Sequence, residues 1–290
     1  LGRLLFNSTV DITYCNYDDI NEKFKEFAFN NEDENYKNIY ITDISVNEEI
    51  AELIDTDYEL SEKVILLDHH PTAEWLNKYE WCNVEVYNEN GKLSGTTLLF
   101  EEFQNLFHNG NWASVELECI YNFVETVRKY DTWEWATKYN SIEPKQLNDL
   151  FYLYGRKRFI NMIIDKILNY EDLFSSQDKL MLELNQEKID RYIESKQKQL
   201  IEKDILGYKA GVIFAEQYHS EVGNTLATNN PHLDFIVLIN PSYSISYRTV
   251  KDINLGEDIA KIYGGGGHPK AAGSPISDDI RNKIIELIFN

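Results

Sequence analysis

At 290 residues, 43% hydrophobic and 27% charged, the chain is long enough for two ordinary domains with separate cores and has the composition of a soluble globular protein. Its formal net charge of −21 excludes the broad basic groove that tracks long duplex nucleic acid, and suits a small anionic ligand gripped by a few local cations or by a divalent metal. No apolar run reaches the ~18 residues of a membrane span. Cys15, Cys82 and Cys119 form neither a C-x-x-C pair nor a disulfide pattern, which points to a reducing cytoplasm.

Strand and helix signals alternate along the first half. Asp11–Asn16 reads as a strand, and Asp18 or Asp19 caps a helix running to about Asn30. Asn38–Thr42 reads as a strand ending at Asp43, and Val46–Asp55 as a helix with Asn47 as a possible cap. The apolar run before Asp68 reads as a strand over Lys63–Leu67, which Pro71 terminates. Asn83–Tyr87 reads as a further strand, and Ser94–Phe107 as a helix with Leu98, Leu99, Phe103 and Leu106 on one side. This βαβα order predicts a parallel sheet with helices on both faces.

From Val115 to about Ser195 the pattern is helical, and Gln177–Leu200, polar and free of Gly and Pro, reads as a long solvated helix joining two units. Strands are expected at Lys209–Ala215, Leu233–Ile239 and Ser242–Arg248. Helices are expected at Ser220–Ala227, Gly256–Tyr263 and Asp278–Phe289. The expected division is residues 1–175, a linker helix over 176–204 and a smaller α/β domain over 205–290.

Two motifs carry chemistry. Asp68, His69 and His70 stand where a buried strand ends, the place where open α/β sheets bind ligands and metals. The run Gly264-Gly265-Gly266-Gly267-His268-Pro269-Lys270 costs backbone entropy on ordering. A nest of backbone amides around a phosphate is one reason for it, and a flexible loop is the alternative. Ser94-Gly95-Thr96-Thr97 opens a helix, either as an anion site or by simple capping. The Tyr and Trp residues either stack on bases or pack.

Asp-His-His after a strand, followed late in the chain by Gly-Gly-Gly-His-x-x-Ala-Ala-Gly, resembles the DHH phosphoesterase superfamily, with a C-terminal DHHA1 domain. Within it the layout is most similar to nanoRNase and oligoribonuclease members. The resemblance implies an N-terminal parallel-sheet DHH catalytic domain, a linker helix and a DHHA1 substrate-binding domain. It implies that Asp43, His69 and Asp131 are metal ligands and that Asp68 orients His69. His70 would meet the scissile phosphate. Arg248, Gly264–Gly267 and His268 would bind substrate. Asp43 as a helix cap and Arg248 as a surface residue are the bland alternatives.

The implied cofactor is Mn²⁺, two ions, with Mg²⁺, Co²⁺ or Zn²⁺ as alternatives. The implied substrate is a short oligonucleotide or dinucleotide, cleaved to mononucleotides by a monomer or homodimer. A nucleotide-binding module without catalysis and a single-strand exonuclease stay open. The superfamily's first motif, His-x-Asp-x-Asp-Gly after the first strand, is absent from the sequence. Leu1–Phe6 reads as the helix that would follow it, and Asp18-Asp19 as a cap rather than a substitute.

Overall fold

The structure, a computed structural model, describes residues 1–6, 9–30, 32–110, 112–242 and 244–289, with the backbone alone at Ile284. The chain divides into two compact units, Leu1–Lys179 and Leu180–Asn290.

The first unit begins with α1 (Gly2–Phe6), α2 (Ile20–Phe29), β1 (Ile39–Thr42), α3 (Glu48–Thr56), α4 (Tyr58–Ser61), β2 (Val64–Asp68) and β3 (Cys82–Val84). A hairpin of β4 (Tyr87–Asn88) and β5 (Gly91–Lys92) leads to α5 (Gly95–Glu102), α6 (Gln104–Asn109), α7 (Ser114–Asp131), α8 (Glu134–Thr137), α9 (Glu143–Tyr154) and α10 (Arg156–Leu168). β1, β2 and β3 form a parallel sheet with β2 in the middle, Thr42 lying opposite Leu67 and Asp68 opposite Val84. Alternation along β2 sends Val64 and Leu66 into a core with Ile50, Ile54, Leu76 and Val84, while Leu67 packs with Leu93 and Leu98 of the opposite face. A strand covered on both faces reads as a continuous apolar run, and its polar residues are displaced to its end.

Two expectations fail here. Asp11–Asn16 forms no strand among the described residues. Side chains anchor this segment instead of a ladder: Tyr36 Oη donates to Asp11 at 2.7 Å, Lys23 Nζ donates to the Tyr14 carbonyl at 3.0 Å, and Cys15 packs against the core. The helix expected over Ser94–Phe107 breaks at Phe103, which is buried and packs its ring edgewise on Phe6 and Tyr40. Beyond the break Phe107 is buried and Leu106 faces outward.

α11 (Ser176–Lys198) is less solvated than its composition promises, since Asp178, Leu182, Ile189 and Lys196 are buried. Asp178 Oδ2 accepts from the Ser175 amide at 2.8 Å and from Lys166 Nζ at 2.6 Å, while Oδ1 accepts from Tyr154 Oη at 2.6 Å. The Asp178 amide in turn donates to Ser175 Oγ at 3.2 Å, a reciprocal capping box. The first turn of the long helix is thus pinned to α9 and α10.

The second unit contains β6 (Ile201–Ile205), β7 (Tyr208–Phe214), α12 (His219–Asn229), β8 (Phe235–Asn240), β9 (Ser244–Arg248), α13 (Leu255–Asp258), β10 (Gly266–His268), β11 (Ala271–Pro275) and α14 (Asp278–Phe289). Of the strand expected from Ser242, Tyr243 lies outside the described residues. The six strands run in the order β10-β11-β9-β8-β7-β6, and only β7 and β8 are parallel. Val222 and Leu226 of α12 pack on Ile213, Ile236 and Leu238, and Leu255 and Ile259 on Phe235, Val237 and Tyr247 of the other face. The helix expected over Gly256–Tyr263 is α13 followed by a 3₁₀ turn at Ala260–Tyr263.

Candidate active site

Three elements of the first unit bring acidic and imidazole groups together. Asp43 follows β1 with φ of 62°, a left-handed conformation uncommon outside glycine, asparagine and aspartate. It lies against the start of α5, where a methyl on Gly95 would fall 2.5 Å from Asp43 Cβ and 2.6 Å from Oδ1. Ser94 caps that helix through the Thr97 amide at 3.2 Å. The anion that meets the helix start is thus a carboxylate of the chain itself, which the positive end of the helix favours.

His69 follows β2, and its Nε2 lies 3.1 Å from Asp43 Oδ1 and 3.1 Å from Asp131 Oδ2. Asp131 ends α7. One turn earlier the buried Arg128 pairs with Glu125 at 2.8 Å and Glu134 at 2.6 Å and donates to the Lys92 carbonyl at 3.0 Å, clamping that helix end. Burial disfavours a charged His69 ring, but the Asp131 and Asp43 carboxylates at 3.1 Å outweigh it and raise the pKa to about 10. The cluster therefore demands a positive charge.

Asp68 is fully buried. Its Oδ1 lies 2.6 Å from His70 Nδ1 and accepts from the His69 amide at 2.8 Å, and its Oδ2 accepts from Ser45 Oγ. The ring that Asp68 orients is thus His70's, where the sequence pointed to His69. With Nδ1 tied to Asp68, the other ring nitrogen, Nε2, lies 3.4 Å from the Tyr17 hydroxyl. Tyr17 stands edge-on to this ring at 6.0 Å, and burial and the carboxylates of Asp68, Asp43 and Asp131 push its hydroxyl pKa up.

A cation fits this donor set. His69 Nε2 is buried and has no hydrogen-bond partner of acceptable geometry, although two carboxylate oxygens converge on it. One ligand atom each from Asp43, Asp68, His69 and His70 also lie within 4.8 Å of one another. Tyr17 and Ser45 were not singled out as site residues from the sequence, and Gly95 stood there only within a run read as an anion site or a cap. Ser45 stands two residues beyond Asp43 and Gly95 follows a helix cap, but Tyr17 carries no sequence signal.

In the second unit the glycine run is a turn and a strand. Gly264 has φ of 73° and Gly267 of 138°, and a methyl on Gly265 would fall 2.0 Å from the Gly273 carbonyl oxygen. The Gly264 and Gly265 amides donate to Lys261 and Ala260 carbonyls at 3.2 and 2.9 Å, so these two do not form an anion nest. A methyl on Gly266, like one on Gly264, would meet open space, and Gly266 does not carry the positive φ of Gly264.

The strand register places His268 opposite Ala271 and Ala271 opposite Arg248. Residues opposite one another share a face, so the cation and the imidazole flank a small residue, with outer Cα atoms about 10 Å apart. Arg248 lies on Gly223 of α12, where a methyl would fall 2.5 Å from its Cγ. Its guanidinium donates to the Tyr247 carbonyl at 2.9 Å and to Ser220 Oγ at 3.2 Å. Burial lowers its pKa, Glu221 opposing, and no carboxylate pairs with it among the described residues.

No protein-family model matches the chain. Over its whole length it is 35% identical to the oligoribonuclease NrnB of Bacillus subtilis (strain 168), covering 72% of that protein. Over 87% of its length it is 22% identical to a 3′,5′-cyclic-nucleotide phosphodiesterase of Helicobacter pylori (strain ATCC 700392 / 26695), covering 83% of that protein. Among solved structures, the DHH domain of a member of a family of ribosomal proteins aligns over 94% of this chain and 74% of its own, with a TM-score of 0.53 and 14% identity. The chain belongs to the oligoribonuclease NrnB family, and its fold is that of a DHH domain.

Proposed function

We propose that the protein is a metal-dependent phosphodiesterase that hydrolyses short oligonucleotides, dinucleotides included, to mononucleotides. The observation that carries this reading is the convergence of Asp43 and Asp131 on His69 Nε2, at 3.1 Å each, beside a His70 ring held by Asp68, in a chain of an oligoribonuclease family.

Asp43, His69 and Asp131 hold the metal. The mixed imidazole and carboxylate set suits Mn²⁺, as a pair of ions, with Mg²⁺ or Co²⁺ as alternatives. When bound, the metal supplies positive charge at the scissile phosphate and lowers the pKa of water. Asp68 keeps the His70 ring oriented, and His70 meets the scissile phosphate. Ser45 and two backbone amides hold the Asp68 carboxylate in turn.

The second unit is the substrate-binding domain. Arg248 and His268 donate to a phosphate, the former bidentately. The bare Cα of Gly266 lets a phosphate approach the backbone. Gly264, Gly265 and Gly267 serve the same site by shaping the strand that carries His268. The free thiols of Cys15, Cys82 and Cys119 fit action in the cytoplasm.

The test is hydrolysis of a 5′-phosphorylated dinucleotide by the natural protein, with Mn²⁺ and with a chelator. Mononucleotides are expected with Mn²⁺ alone. Equal turnover in the chelator removes the metal from the reading, and no turnover of dinucleotide or pentanucleotide with any of the three metals sinks it.

A further inference from the structure

Arg156, Lys157 and Arg158 are consecutive in a chain of net charge −21, and all three side chains are exposed. Among the described residues none of them forms an ion pair, although acidic residues outnumber basic ones 49 to 28. Three unpaired cations at successive positions concentrate positive charge on an otherwise acidic chain, whereas Lys23, Lys25, Lys145 and Lys261 lie on carboxylates.

They line a shallow, open depression of the surface together with Tyr154, Gly155 and Asn161. Gly155, with φ of 72°, turns the chain sharply between α9 and α10, so the three cations project from the first turn of α10. No side chain caps that helix.

An aromatic ring adjoins the cations. The Arg156 guanidinium carbon lies 3.9 Å from the centroid of the Tyr14 ring, which is itself exposed. Tyr14 belongs to the unpaired segment that also carries Tyr17, and Tyr17 stands against His70. Three residues of chain span at most about 11 Å. Cations beside exposed rings are the composition of a groove for single-stranded nucleic acid, in which phosphates meet the charges and bases stack on the rings.

We propose that Arg156, Lys157 and Arg158, with the Tyr14 ring, form an extension subsite that binds the sugar–phosphate chain of an oligonucleotide beyond the nucleotides at the His69–His70 centre. The subsite rests on the oligonucleotide reading above and adds to it a basis for length preference. A dinucleotide is too short to use the subsite, and longer single strands gain from it.

The experiment compares 5′-phosphorylated dimers and pentamers of adenylate, with Mn²⁺, on the natural protein and on a combined Arg156→Ala, Lys157→Ala, Arg158→Ala variant. The pentamer-to-dimer ratio of kcat/KM is expected to fall about tenfold in the variant, through KM, with a weaker salt dependence of pentamer binding. An unchanged ratio overturns the subsite. Should the triple variant fail to fold, Lys157→Gln with Arg158→Gln leaves the Tyr14 stack in place, and a smaller fall in the same ratio is expected, an unchanged one again overturning the idea. Pentamer binding measured in a chelator separates this proposal from the function it rests on. If neither oligomer is hydrolysed by the natural protein, the phosphodiesterase reading fails. Weaker pentamer binding by the variant would then still support a single-strand site, and equal binding would overturn it.

Discussion

The two candidate sites are built in opposite ways. In the first unit carboxylates and imidazoles converge from the ends of β1, β2 and α7, and Asp43 adopts a left-handed backbone to take part. In the second unit a cation and an imidazole stand on either side of Ala271 because strand register puts Arg248 and His268 there. The first gathers negative charge and asks for a cation, and the second offers donors and asks for an anion. On the proposed function the first takes the metal and the second takes a phosphate of the substrate.

The contrast can be broken by substitution, and the losses expected differ in kind. His69→Ala removes the group on which both carboxylates converge. Metal-dependent hydrolysis of the dinucleotide is expected to fall by more than about 100-fold, since even indirect partners of metal ligands are worth 10–100-fold. Full activity with Mn²⁺ would dissolve the proposed centre. Arg248→Ala should act on KM instead, by about tenfold or more, the scale of a charge-assisted hydrogen bond of about 1.5–3 kcal/mol. A fall in kcat with constant KM would place Arg248 with the reacting atoms.

Stability offers a further contrast, because the first unit also carries the buried Asp178–Lys166 pair. Burial opposes the Asp178 carboxylate, yet hydrogen bonds from Lys166, Tyr154 and Ser175 hold its pKa down at about 2. A carboxylate lowered on folding stabilises the fold above its unfolded pKa of about 3.9, and loses that contribution as pH falls toward the folded value. Denaturant titration should therefore show about 2–3 kcal/mol lost between about pH 5 and pH 2. Asp178→Asn should be less stable at pH 7 and lack this acid step. The smallest effect is expected at Gly266→Ala, within about 0.5 kcal/mol as at ordinary surface positions. Gly265→Ala meets a carbonyl and should cost far more, and equal costs would show that the run is a flexible loop after all.

Much of this was legible in the sequence, for local reasons. Val64–Leu67 reads as a buried strand because both faces of β2 are covered, and its end marks Asp68, His69 and His70. What distance in the chain separates was harder to read. That Asp68 touches His70 rather than His69 depends on ring orientation, which spacing does not carry. Tyr17 reaches the site from a segment whose alternation imitates a strand, yet among the described residues no ladder pairs with it. The glycine run announces constraint, but the reason is a neighbouring carbonyl at Gly273 and two positive φ angles, known only once β10 and β11 are paired.

The left-handed backbone at Asp43 has one more consequence. Among residues with a side chain, that conformation is kindest to aspartate and asparagine, so the shape of the chain narrows what can replace the acid. An asparagine there would preserve the turn and its seat against Gly95 while removing the charge. Shape and chemistry are thus separable at this position, and a relative that has lost its metal can persist as a sound, folded protein.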